Sequence, residues 1–139
     1  MKQVTVRIKG IQGLDGQTET VETVADGTLG VRENRVLLCY TEPETVGQKG
    51  IRTSLLYKAP DTVILTRSGA LETRMVIEKG HTEVCRYNTG FGELFLDITG
   101  ESVEGHLTES GGTLKMVYRI DAGGKIVSKN QVEITVKEV

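Results

Sequence analysis

The residues of this chain that could do chemistry are few and scattered. Among 139 residues there are two histidines and two cysteines. A transition-metal site draws on His and Cys at short, fixed spacings. His81 and His106 each stand beside a glycine at an expected turn or bend, and neither Cys39 nor Cys85 has a Cys-x-x-Cys partner. No metal or other cofactor is expected. Cys85 follows His81 by four positions, which in a strand is about 13 Å, too far for a thiol and its base to touch. Gly90-Phe91-Gly92 leads into a strand, not a helix, so no helix N-terminus is aimed at a phosphate. Glu93 and Asp97 share a strand face with Phe95 between them. Alternating acids of that kind read as a solvated outer face before they read as a paired acid and base. Catalysis is therefore not expected.

What remains is recognition by arginine and tyrosine. A guanidinium turned into an apolar interior must find a partner, and a carboxylate or similar anion offers it two parallel hydrogen bonds. A tyrosine supplies an apolar body with a hydroxyl that orients a ligand. The candidates are Arg67, Arg86, Tyr40, Tyr57, Tyr87 and Tyr118. Arg67 falls on the face of Val63 and Leu65 at a strand's end if alternation holds. The competing role is structural: tyrosines that fill a core, and arginines that tie turns together.

The elements that position these residues follow from a period of two. Leu94, Leu96 and Ile98 alternate with Glu93, Phe95, Asp97 and Thr99 in the clearest strand, preceded by the Gly-Phe-Gly turn. Val4, Val6 and Ile8 mark a first strand over Lys2 to Lys9, ended by a glycine-rich turn from Gly10 to Gly16. A long second strand spans Gln17 to Arg32, with Asp26-Gly27 taken as a bulge or bend within it. Val36 to Glu42 follows, apolar on both faces and so expected to be covered on both. Further strands are expected at Ile51 to Lys58, Thr62 to Arg67, Leu71 to Glu78 and Thr82 to Tyr87. The clear strand bends at Gly100 and Gly105 and runs on to Thr108. Leu114 to Ile120 and Lys125 to Lys137 complete the series.

Composition agrees. There are 17 glycines and two prolines, with no amphipathic run of helical length. Nine or ten short segments joined by hairpin turns form a meander, and closing it into a barrel removes the two free edges. The expectation is all-β: one domain over residues 1–139, an antiparallel meander barrel of eight to ten strands. At 37% hydrophobic and 26% charged the chain should fold. Its net charge of -2 offers no basic field for nucleic acid or an anionic membrane. No apolar run nears a membrane span, and the first residues lack a signal peptide's pattern. A cytoplasmic protein with reduced cysteines is expected.

The segments Leu38 to Glu42, Val63 to Gly69, Tyr87 to Leu94 and Leu114 to Ile120 together resemble the YwiB-like proteins. The signature is Arg67-Ser68-Gly69 after one strand, then Tyr87-Asn88-Thr89-Gly90-Phe91-Gly92 some way on. The resemblance runs nearly the whole chain in order. It implies a calycin-like (lipocalin-like) β-barrel from a bacterial, mainly cytoplasmic setting, and it implies no reaction.

Two functions fit such a barrel. One is a non-enzymatic carrier of a small molecule, with an apolar interior and an arginine at its mouth. The other is a structural or regulatory interaction protein whose barrel is filled by its own side chains. In that case an outward Phe95 belongs under a covering strand or in a subunit interface, as in a homodimer.

Overall fold

A computed structural model describes residues 1–42, 51–69, 72–88 and 92–139, the side chain of residue 88 excepted. Ten strands follow one another: β1 (Lys2–Leu14), β2 (Gln17–Arg32), β3 (Arg35–Thr41), β4 (Arg52–Lys58), β5 (Thr62–Ser68), β6 (Glu72–Glu78), β7 (Thr82–Asn88), β8 (Glu93–Thr108), β9 (Gly111–Ala122) and β10 (Lys125–Glu138). Each pairs antiparallel with its neighbour in sequence, and β10 returns to pair with β1, so the sheet closes. Among the described residues there is no helix.

Three local expectations are refined. β1 runs to Leu14 instead of ending at Lys9, because Gly10 to Gly13 are paired on both sides, with β2 and β10. Only Asp15 and Gly16 turn, both at positive φ (52° and 79°), as a two-residue hairpin requires. Asp26-Gly27 makes no bulge, since the register of β1 with β2 is unbroken through it. Gly27 is there for proximity: a Cβ would stand 2.5 Å from the Cys39 carbonyl. The expected Gly-Phe-Gly turn up to Gly92, the Glu42 to Gly50 loop beyond Glu42 itself, and Leu71 lie outside the described residues.

Side chains at alternate positions fill the interior. Leu29, Leu38, Leu55, Leu65 and Met75 are successive cross-strand partners on β2 to β6 and form one core layer. Ile77, Ile98, Leu114, Met116 and Ile134 close it from the other side, each at most 2% exposed. One end is shut by Tyr57. Its ring covers Gly105, where a Cβ would overlap it, and its hydroxyl donates to the Pro60 carbonyl at 3.0 Å.

The barrel's least regular join lies between β6 and β7, which among the described residues pair at Glu72 with Asn88 and at Thr73 with Tyr87. Beyond that, the β6–β7 turn docks on β8. The Gly80 amide donates to the Gly100 carbonyl (2.9 Å), and the Gly100 amide donates to that of His81 (3.0 Å). On the outer surface, Leu37, Leu56, Ile64 and Val76 are register partners in a half-buried apolar stripe across β3 to β6. The outer face of β3 is thus only half covered, contrary to the expectation of cover on both faces.

Candidate functional site

At the end opposite Tyr57 the inward rows turn polar. The register Tyr40–Thr53–Arg67–Thr73–Tyr87 runs across β3 to β7 as one row of cross-strand partners. Arg67 continues the inward face of Val63 and Leu65, and its Nη2 donates to both carboxylate oxygens of Glu42, at 2.9 and 2.7 Å. The two side chains are 28% and 27% exposed, so the pair sits at the rim and not in the core. Thr53 adds a hydrogen bond of 3.4 Å from Oγ1 to Glu42. The Arg67 Nε is buried and has no partner among the described residues.

Across the mouth a cavity of about 300 Å³ separates Arg67 and Tyr118 from β1, β2 and β10. Gly10, Gln12, Val21 and Asn130 are among its other walls. The inward row of β1 reads Val4, Val6, Ile8, Gly10, Gln12. It is bulky where the barrel is filled, empty at Gly10, and polar at the rim. A Cβ at Gly10 would meet only the Val21 carbonyl, at 4.0 Å, so the space beside it is open. Two residues further toward the β9–β10 turn, Ser128 is buried and accepts a hydrogen bond from Asn130 Nδ2 at 3.0 Å.

Burial pushes the Tyr40 phenol up to about 12, with the Glu42 carboxylate adding to the rise and the Arg67 charge opposing it. Burial likewise raises Tyr118, again against Arg67. Tyr57 is raised by burial and by Asp61. A phenol whose folded pKa exceeds its unfolded value of about 10 contributes stability that is complete below pH 10 and is lost as pH rises through the folded pKa. For Tyr40 the interval from 10 to about 12 is worth on the order of 2–3 kcal/mol. Denaturant unfolding is therefore expected to show stability falling steeply between pH 10 and 12. Tyr40→Phe should flatten that fall and be the more stable protein at pH 11.5.

Of the six residues expected to recognise a ligand, Arg67, Tyr40 and Tyr118 converge on this mouth. Tyr87 joins the same row, half-buried. Tyr57 does not join them, since it lies four residues along β4 from Thr53 and plugs the other end. Arg86 does not either: strand alternation turns it outward, 66% exposed and 3.5 Å from Glu93. Glu42 and Asn130 were not foreseen. Glu42 follows Tyr40 by two and so shares its face, while Asn130 continues the inward row of Val132, Ile134 and Val136. Alternation alone would have placed both.

The remaining reactive groups stay apart. Cys85 is buried beside Thr73, its Sγ 3.2 Å from Oγ1, whereas Cys39 lies on the outer face near Ser54. His81 is exposed, 3.8 Å from Glu78, and His106 is exposed on β8. Phe95 is 61% exposed, with Val84 diagonal to it at 66%.

Residues 6–134 match the family described as a domain of unknown function, DUF1934. The chain belongs to that family. It is 28% identical over 138 residues to the uncharacterized beta-barrel protein YwiB of Bacillus subtilis (strain 168), which covers 97% of this chain and 95% of that protein. The crystal structure of the B. subtilis ywiB protein matches the fold at a TM-score of 0.88 and 25% identity, over 99% of this chain and 92% of that one. This chain is accordingly a closed, ten-stranded antiparallel barrel like the B. subtilis protein, and the resemblance to the YwiB-like proteins holds.

Proposed function

We propose that this DUF1934 protein is a non-enzymatic binding barrel that takes a small organic anion at the Arg67 end of the barrel, with Arg67 as the anchor. The observation that carries the reading is the conjunction of an inward guanidinium with an adjoining cavity of about 300 Å³. That volume is at the lower end of small-molecule pockets. Two features limit the ligand's size: the apolar core below is filled by Leu38, Leu55, Ile98 and Leu114, and Tyr57 blocks the far end. A short organic acid fits this description better than a long acyl chain. Tyr118 and Asn130 supply a hydroxyl and an amide to orient it.

Two substitutions test the reading from different directions. Arg67→Met removes the anchor while keeping a long side chain, and is expected to weaken binding of hexanoate or benzoate at least tenfold by isothermal titration. Gly10→Ile leaves Arg67 intact and fills the open space, and should weaken binding comparably. Wild-type affinity in both variants would defeat the proposal. A filled barrel acting through its outer face is the second reading, favoured by the Leu37–Leu56–Ile64–Val76 stripe and by the exposed Phe95. It gains if a homodimer forms in solution while no small acid binds.

A further inference from the structure

Glu42 occupies the anion-binding side of Arg67. Both of its oxygens share one nitrogen, Nη2, while Nε stays buried and unpaired among the described residues. A planar carboxylate meets a guanidinium best side-on, through two parallel hydrogen bonds from two nitrogens. The intramolecular pair falls short of that geometry and leaves a buried donor unmet, which is costly.

We infer that Glu42 is an internal stand-in for the ligand's own carboxylate, and that binding proceeds by exchange of one carboxylate for the other on Arg67. This inference rests on the proposed reading of the mouth. The backbone of Glu42 is held, since its amide donates to the Ile51 carbonyl at 2.8 Å, so the exchange is a side-chain movement. Glu42 is 27% exposed and can turn into water when it lets go. Arg67, no longer tied through Nη2 alone, can then present Nε and Nη2 together. Charge selects the ligand class. Arg67 is the one cationic residue among the described residues lining the cavity, and Glu19 the one acidic residue. A monoanion replaces Glu42 at constant charge, whereas a phosphate dianion would add charge next to Glu19. The ligand is a monocarboxylate with a short organic body.

The test is isothermal titration of hexanoate, benzoate and inorganic phosphate into wild type, Glu42→Gln and Arg67→Met. Glu42→Gln keeps the shape but not the charge, so it should bind the two carboxylates at least tenfold more tightly than wild type. Equal or weaker binding by Glu42→Gln, with binding still lost in Arg67→Met, overturns the exchange and leaves the mouth reading standing. No binding by either wild type or Glu42→Gln overturns both. Tighter binding of phosphate than of carboxylates overturns the assigned class. A measurement on the wild type covers a failure of the variant to fold: adding hexanoate should shift the Arg67 Nε–H resonance and move the Glu42 carboxylate carbon to its solvated position. An unmoved Glu42 signal at saturating hexanoate contradicts the exchange.

Discussion

Gly100→Ala is expected to destabilise the protein by at least about 3 kcal/mol, the range reserved for backbone collisions and comparable defects. Among the described residues β6 and β7 share two residue pairs, so closure along the rest of β6 draws on the β6–β7 turn seating against β8 at Gly100. A Cβ on Gly100 would collide with the Glu78 carbonyl and amide, which are backbone atoms and cannot swing aside. The strands must part, and the hydrogen bonds from Gly80 and to His81 go with them. In a domain whose total stability is about 5–15 kcal/mol, this is a large fraction. Thermal unfolding should show the midpoint lowered by roughly 10 °C or more. Gly10→Ala is the control. Its added methyl enters open space, so its effect should stay within about 1 kcal/mol. Similar small effects at the two glycines would mean that β6 does not close on β8 as described.

The second large effect belongs to the core. Leu38 is fully buried in the layer it shares with Leu29 and Leu55. Leu38→Ala removes its methyl groups and leaves a void that a closed sheet cannot collapse around, because each strand is pinned on both sides. A loss of about 3–4 kcal/mol is expected in urea unfolding, within the range for buried leucine truncations. A loss below about 1 kcal/mol would indicate that the interior at this level is not packed.

The fold was legible because alternation leaves little choice. Inward rows such as Val4–Val6–Ile8 and Leu114–Met116–Tyr118 are set by period two, and a meander of such rows without helices closes on itself. Where the reading slipped, pairing outweighed local signals. The glycines from Gly10 to Gly13 suggested a turn, yet ladders on both sides hold them as strand. The site was legible only in part. Alternation put Arg67 inward, but its meeting with Glu42 depends on the register of β3 on β4 and β4 on β5. Register across three strands is a tertiary property. The cavity was hidden for a similar reason: Gly10 reads as a turn residue in sequence and becomes an absent side chain in an inward row only once β1 is known to extend past it. Arg86 and Tyr57 carry suitable groups, but direction excludes one and the plugged end excludes the other.

Native mass spectrometry of the protein purified from the organism that makes it, before and after unfolding, tests the binding mouth most directly. The expected result is a small organic acid that leaves on unfolding, is displaced by excess hexanoate, and is missing from Arg67→Met. A bare polypeptide mass that stays bare with hexanoate in excess would contradict it.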